Sequence, residues 1–365
     1  MPLVAVSFIH FVTKLSALLL EDFPLKISHL AAIFAPVAFL TVAWLAPVED
    51  RPGTAMTTAA KEFAASLDDG QKKQALFGFD SPKRTNWHFV PLQDDKRQPT
   101  RDGIRLELLT EAQREKALVL MRTGTSAEGA KAAETIMSLE SVLHQMEGGK
   151  GNVRNPNWYF VSIYGEPGTD SWGWRFEGHH LSLNFTLKGD QVVSVTPSVF
   201  ASNPTEIRSG PRKGQKTLAE VQDLALELIA SLTPEQKEKA NQAKAHPEVE
   251  AKTTGPAPSA LVGIDSNQLT EIQKPMLNKL IQVYLRRYPD SIAGREWARI
   301  EKNPGALYFS YFRDEKKPGA PMTYRIARND FQIEFLNMQA DAEGNPANHI
   351  HSALRTLPKD FGLAK

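Results

Sequence analysis

Two short histidine motifs carry the residues of this sequence that are best suited to chemistry. One is a Gly-His-His segment at residues 178–180, and the other is Asn-His-Ile-His-Ser at residues 348–352. Together they hold four of the nine histidines of the chain. Imidazole nitrogens are common ligands of zinc, copper and non-haem iron. The two motifs therefore predict a metal site assembled from distant parts of the sequence.

Strand geometry selects among these four histidines. Alternate residues of a β-strand point to the same face, so His349 and His351 project together. If the first motif continues as a regular strand, His179 lies on its apolar face and His180 on its polar face. We therefore predict that His180 joins His349 and His351 as a ligand of zinc, copper or iron. His179 is then packed behind the site, and it becomes the ligand only if a bulge at Gly178 reverses the two faces.

Polar neighbours could support such a site. In the same regular strand, Ser182 and Asn184 share a face with His180, so they could orient the ligands through hydrogen bonds or simply satisfy the backbone. Glu177 and Glu334 could each supply a fourth ligand or act as a general base. Because Glu334 alternates with apolar neighbours, the alternative explanation is that it faces water or pairs with an arginine such as Arg325.

Two arginines and two tryptophans are candidates for substrate binding. A guanidinium fork matches a carboxylate or a phosphate, so Arg175 and Arg355 could clamp an anionic substrate. An ion pair, at the surface or buried, is the alternative. Trp172 and Trp174 share a strand face and could form a platform for a sugar or a peptide, or they could pack in the core. The sequence leaves the substrate class open between a small molecule and a peptide.

Composition excludes several functional classes. The 43 basic and 42 acidic residues are balanced, which gives no electrostatic basis for binding nucleic acid. The chain has no cysteine, so disulfides, thiolate ligands and cysteine nucleophiles are excluded. It also lacks a phosphate-binding loop, a dinucleotide fingerprint, a Gly-x-Ser-x-Gly motif and a His-Glu-x-x-His motif. The oligomeric state stays open.

The N-terminal region predicts export. Residues 30–45 are apolar apart from Thr41, charges return at 49–51, and small residues such as Ala43 suit signal cleavage. We favour a signal peptide within residues 1–46, with translation starting near residue 25, so that residues 1–24 are not part of the natural protein. A retained membrane anchor is the alternative, because residues 3–20 are also largely apolar. Either interpretation places the following domain in the periplasm or outside the cell, with membrane contact only through this segment.

The rest of the chain predicts an α+β fold. Residues 47–56 have the composition of a tether, and residues 57–365 are predicted to form one domain with a loop at 246–260. Helical and strand patterns are segregated, which favours a mainly antiparallel sheet with flanking helices. Residues 172–185 are predicted as one strand, and a turn at 188–190 leads into the next. No internal repeat of short period is found.

Capping residues predict where several helices begin. Thr110 is followed three residues later by Gln113, which is a capping-box pattern. Ser126 is predicted to open a helix that runs to about Met146. Thr233 precedes a proline, and proline is favoured at the first helical position.

Several motifs in this domain resemble an uncharacterised domain-of-unknown-function family of bacterial and fungal, often exported, proteins. They are Trp172-Gly173-Trp174, residues 178–184, Thr196-Pro197, Tyr308-Phe309-Ser310, Tyr324-Arg325-Ile326, Ile333-Glu334-Phe335, residues 348–352, Arg355 and Asp360-Phe361-Gly362. The resemblance extends from about Thr57 to the C-terminus and implies a shared fold, but no activity. The family usually has an aspartate directly after the arginine that follows the second histidine motif. Here Thr356 follows Arg355, which leaves Asp360 as the nearest carboxylate and a third candidate for moving protons.

Two hypotheses for function follow. The first is an exported metal-dependent enzyme, either a hydrolase or an oxidoreductase, in which Glu177, Glu334 or Asp360 moves protons. The second is a non-catalytic exported binding or structural domain whose histidines hold the sheet together.

Overall fold

The helices begin where capping residues occur in the sequence. Residues 51–256 and 260–362 are described by the computed structural model. The side chains of Thr110 and Thr233 each accept a hydrogen bond from the backbone of a glutamine three residues later, and Ser126 caps a 20-residue helix. The helices are α1 Pro52–Ser66, α2 Asp69–Ala75, α3 Glu111–Thr123, α4 Ala127–Met146, α5 Ala219–Ser231, α6 Pro234–Ala240, α7 Gln273–Leu285 and α8 Asp290–Lys302.

The strands form one twelve-stranded sheet that is antiparallel except where β1 pairs with β3. Its order is β1-β3-β4-β5-β7-β12-β11-β10-β9-β8, with β2 on β3 and β6 on β5. The fold is therefore α+β with a mainly antiparallel sheet, as predicted. The strands are β1 Leu76–Phe77, β2 Ile104–Arg105, β3 Tyr159–Tyr164, β4 Trp172–Gly178, β5 Leu181–Lys188, β6 Gln191–Ser194, β7 Ser198–Ser202, β8 Ile264–Asp265, β9 Tyr308–Arg313, β10 Met322–Arg328, β11 Phe331–Gln339 and β12 His349–Thr356.

The first histidine motif is a hairpin turn, so the prediction of one strand over residues 172–185 is wrong. Gly178 pairs with Leu181, and His179 and His180 form the two-residue turn between β4 and β5. His180 has a positive φ of 66°. His179 and His180 are not a turn dipeptide such as Asn-Gly, and they lie within a run of alternating side chains. The sequence pattern therefore predicts a continuous strand here and no turn.

Strand β7 was also missing from the predicted strands, and it separates the two motifs. It pairs with β5 on one side and with β12 on the other. The strand has five residues and follows Pro197, and its serines weaken the apolar pattern. The histidine motifs therefore lie across an intervening strand rather than on neighbouring strands.

The predicted N-terminal tether overlaps the first helix of the structure, which begins at Pro52. Helix α1 begins there, so the tether prediction is wrong for residues 52–56, because proline at the first helical position favours the helix start. The signal or anchor segment at residues 1–46 lies outside the described residues. Within the described part of the chain, no helix combines the length and apolar character that crossing a membrane requires.

The domain consists of two similarly built halves. The first half, residues 52–202, contributes β3, β4, β5 and β7 to the sheet, and the second half, residues 219–356, contributes β9, β10, β11 and β12. In each half two helix pairs precede four strands that pair in succession, and the halves meet through the antiparallel pair β7–β12. The repeated unit is half of the domain, far longer than a short-period sequence repeat, and it resembles an internal duplication.

Matching side-chain networks support this duplication. Gln113 Nε2 donates to the carbonyl oxygen of Ser66 at 2.7 Å, and Gln273 Nε2 donates to that of Ser231 at 2.7 Å. The surrounding sequences also match, at Ala65-Ser66-Leu67 with Ala230-Ser231-Leu232, at Gln71-Lys72 with Gln236-Lys237, and at Leu109-Thr110-Glu111 with Leu269-Thr270-Glu271. By this correspondence, the turn at Asn329 and Asp330 is the counterpart of the His179-His180 turn.

Hydrophobic side chains cover both faces of the sheet. The main core lies between the sheet and the helices and includes Trp172, Trp174 and Ile350. A smaller cluster lies on the other face and includes Trp87, Phe89, Val199, Val249, Leu336, Ala353 and Phe361. The histidine rings lie on this second side, where the ring of Phe89 meets that of His351 edge-on at 5.2 Å.

The histidine turn depends on close packing at Gly178. A Cβ atom on this residue would come within 2.5 Å of the Tyr159 ring, whose hydroxyl donates to the carbonyl oxygen of His179 at 2.7 Å. We expect Gly178→Ala to lower the free energy of unfolding by about 1–3 kcal/mol through overpacking. Urea denaturation measures this. Gly294→Ala is the matched control, because nothing lies within 4 Å of its new methyl group in an exposed helix position. Equal stability of the two variants would contradict the packing described here.

Candidate metal centre

Three imidazole rings converge at the end of the hairpin turn. The Nε2 atom of His349 lies 3.0 Å from the Nε2 atom of His180 and 3.0 Å from that of His351. The ligand atoms of all three residues lie within 4.8 Å of one another. His180 and His351 are buried, and His349 is half-buried. The structure thus brings together the three histidines that strand geometry selected.

Hydrogen bonding does not account for this arrangement. A ring nitrogen of neutral histidine either carries one proton or offers one lone pair. The Nε2 atom of His349 can therefore satisfy only one of its two 3.0 Å contacts. Two nitrogens on a tetrahedral zinc ion at about 2.0–2.1 Å are roughly 3.3 Å apart, which is close to the 3.0 Å spacing of these two nitrogen pairs. A cation at the centre of the three nitrogens would satisfy all of them.

Strand β12 and the turn between β4 and β5 fix the three histidines through their backbone. In β12, His349 and His351 project to one face, while Ile350 between them is fully buried in the main core. His180 donates its N–H to the carbonyl oxygen of Phe89 at 2.7 Å, and its own carbonyl accepts from Ala201 of β7 at 2.8 Å. The turn is therefore fixed both to the sheet and to the segment that covers it.

Burial keeps two of the converging imidazole rings neutral. It lowers the pKa of His180 well below its ordinary value, and the neighbouring histidines lower it further. Burial also lowers the pKa of His349 to about 2. Metal ligation requires neutral imidazole, so these two side chains are in the form that binds a metal at neutral pH.

Glu248 makes a contact that the sequence analysis did not foresee. Its Oε1 atom lies 2.9 Å from the Nδ1 atom of His351. If Nδ1 donates to the carboxylate, the Nε2 atom of His351 offers its lone pair to the centre of the cluster. Glu248 lies in an irregular segment within the predicted loop at 246–260, and nothing in its local sequence indicates a partner so far along the chain.

His179 lies behind the cluster. Its Nδ1 atom is 2.5 Å from Oε1 of Glu140 and 3.2 Å from Nη1 of Arg154. Its ring packs against that of His180 at a tilt of 32°, with the ring centroids 3.7 Å apart. His179 lies behind the cluster as expected, but the reason differs: the two histidines form a turn and do not alternate along a strand.

The candidate acids lie in buried ion pairs with arginines. Glu177 is 3.3 Å from Arg175 and accepts the backbone N–H of His88 at 2.9 Å. Asp360 binds Arg355 at 2.7 Å, and Glu334 lies 3.9 Å from the same arginine. None of the three acids belongs to the histidine group among the described residues. Their catalytic roles stay predictions.

The other candidate residues are also engaged within the fold. Arg175 and Arg355 are buried in the pairs just described, which is the ion-pair alternative, and Trp172 and Trp174 are buried in the main core. The amide of Asn184 donates to the hydroxyl of Ser182 at 3.1 Å and to the carbonyl of Pro197 at 2.8 Å. The hydroxyl of Ser182 donates to Glu177 at 3.4 Å. These hydrogen bonds lead to the ion pairs and the backbone rather than to the metal-facing histidines.

The chain belongs to the family described as Protein of unknown function (DUF3500), whose profile matches residues 49–363. This confirms the resemblance to a domain-of-unknown-function family. No curated protein and no solved structure matches the chain. Function therefore has to be argued from the site itself.

Proposed function

We propose that this protein is an exported metalloprotein that binds one transition-metal ion through His180, His349 and His351 and acts as a hydrolase or an oxidoreductase. The observation that carries the proposal is the pair of 3.0 Å contacts at Nε2 of His349, which hydrogen bonds cannot both satisfy. Imidazole ligands suit zinc, copper and iron better than magnesium or calcium.

The ligand count supports a catalytic role. Catalytic zinc sites typically have three protein ligands and an open fourth position, whereas structural sites have four. In the described part of the chain, the group that could hold an ion consists of these three histidines. When bound, such an ion supplies Lewis acidity and a coordinated water of lowered pKa. The three imidazoles would hold it, and His349, being half-buried, lies on the side nearest to solvent.

The backbone at His180 gives further support. Its φ of 66° is costly for a residue other than glycine, by about 1–3 kcal/mol, and such conformations cluster at functional sites. In the counterpart turn of the second half, neither Asn329 nor Asp330 has a positive φ. The fold therefore does not require this conformation, which suggests that it serves to aim the His180 ring.

A structural metal is the second candidate, and one observation favours it. His180 belongs to the first half of the domain, whereas His349 and His351 belong to the second, with β7 between them. An ion bound by all three would tie the two halves together. An open coordination position on the metal distinguishes the two candidates. If the site is catalytic, azide or cyanide should bind there and change the electronic spectrum of the cobalt-loaded protein. If four ligands fill the site, the spectrum should stay unchanged.

Metal content tests the proposal. Protein purified without a nickel column is expected to contain about one equivalent of zinc, copper or iron by elemental analysis, and added metal should raise the unfolding temperature of stripped protein because it binds the native state. Less than about a tenth of an equivalent, with no stabilisation by any of the three metals, would favour histidines that only hold the sheet.

A further inference from the structure

We infer that Glu248 is a positioning residue for the metal-binding histidines, which it serves by fixing His351 in the tautomer and orientation that metal ligation needs. This inference rests on the proposed metal site and names a residue outside both histidine motifs. The carboxylate acts through His351, and it is not itself one of the converging ligand atoms.

The geometry is that of a carboxylate bonded to a ligating histidine. Glu248 Oε1 is 2.9 Å from Nδ1 of His351, and the opposite ring nitrogen faces Nε2 of His349 at 3.0 Å. Histidines that bind metals commonly donate their second ring N–H to a carboxylate or a carbonyl, which fixes the ring and raises its basicity as a ligand. The His351 ring also meets the Phe89 ring edge-on, with the centroids 5.2 Å apart, so the carboxylate and the aromatic ring together limit rotation of the imidazole.

The segment that carries Glu248 is itself attached to the covered face of the sheet. The backbone N–H of His246 donates to the Thr323 hydroxyl at 3.0 Å, and Arg355 donates to the carbonyl of Glu250 at 3.2 Å. Val249 is buried in the smaller hydrophobic cluster. These contacts on both sides of Glu248 fix its backbone. The Glu248–His351 hydrogen bond therefore forms from a segment that is already held against the sheet.

A second carboxylate provides a contrast within the same cluster. Glu140 contacts the Nδ1 atom of His179, whose ring packs against that of His180 but is not part of the converging group. The side chain of Glu140 is 6% exposed, whereas that of Glu248 is 44% exposed. Loss of the Glu140 carboxylate should therefore affect mainly stability, and loss of the Glu248 carboxylate mainly metal binding.

The experiment compares zinc and cobalt affinities of the full chain and its variants by competition with a chelator. Glu248→Ala is expected to weaken binding by about 10–100-fold, in the range known for such outer partners. Glu248→Gln should recover part of this loss, because its amide oxygen can still accept from Nδ1 of His351. The cobalt spectrum should shift in Glu248→Ala, and metal loading should slow hydrogen exchange around residue 248 in the unaltered protein more than in this variant.

Glu140→Gln is the matched control, and it should retain metal affinity within a few-fold even if it unfolds at lower denaturant. If Glu248→Ala has the same metal affinity and cobalt spectrum as the unaltered protein, the inference about Glu248 is overturned, but the proposed metal site is not. An equal loss in Glu140→Gln would also overturn it, since the effect would then be general. Failure of the unaltered protein to bind either metal would instead overturn the proposed function, and the role of Glu248 with it.

Discussion

Replacing His349 with alanine is expected to release the bound metal while leaving most of the fold intact. His349 is the only one of the three with contacts to both other ligand nitrogens, and it is half-buried at the edge of the cluster. Loss of one of three ligands should weaken affinity by more than about 100-fold, the upper end of the effect of losing an outer hydrogen-bond partner. Elemental analysis and zinc competition measure this, and His351→Ala should give the same result.

For His180 the replacement needs to keep the turn. His180→Asn is the suitable variant, because asparagine tolerates a positive φ better than alanine does. It should also abolish metal uptake. The adjacent His179→Ala is the control: it should retain metal but lose about 1–3 kcal/mol of stability, because Glu140 is left buried without its partner. The reverse pattern, with His179 required and His180 dispensable, would contradict the assignment of the ligands.

Breaking the Arg355–Asp360 pair should produce the largest loss of stability. Both side chains are 0% exposed and their closest atoms are 2.7 Å apart. Asp360→Ala leaves a buried guanidinium without its nearest carboxylate, which typically costs about 3–5 kcal/mol. Urea denaturation of metal-free protein measures the loss without interference from metal binding.

The control for this variant is an exposed pair. Glu315 lies 3.1 Å from Arg313 and its side chain is 74% exposed, so Glu315→Ala should change stability by less than about 1 kcal/mol. If Asp360→Ala left stability unchanged but removed an activity, the interpretation of Asp360 as a residue that moves protons would be supported against the structural one.

The fold class could be predicted from the sequence because local signals agree with it. Capping boxes at Thr110 and Thr233 mark helix starts through contacts only three residues apart. The strands around β10 and β11 follow from apolar alternation. The turn at His179 and His180 could not be predicted from local sequence, because a His-His pair is not one of the usual turn dipeptides and the backbone partners of His180, Phe89 and Ala201, lie elsewhere in the chain.

Two of the histidine ligands could be predicted from the sequence, whereas Glu248, which contacts one of them, could not. His349 and His351 share a strand face by spacing alone, and any strand assignment brings them together. Glu248 reaches His351 across more than a hundred residues from an irregular segment, so no local pattern links the two. Arg175, a candidate for substrate binding, and Glu177, a candidate general base, pair with each other once the sheet folds.

Anomalous X-ray diffraction from crystals of protein that retains its native metal tests the central claim most directly. The account predicts a single peak at the absorption edge of zinc, copper or iron, at about 2.0–2.2 Å from the Nε2 atoms of His180, His349 and His351. A metal-free cluster in which water molecules bridge the three rings, or a peak on other residues, would contradict it.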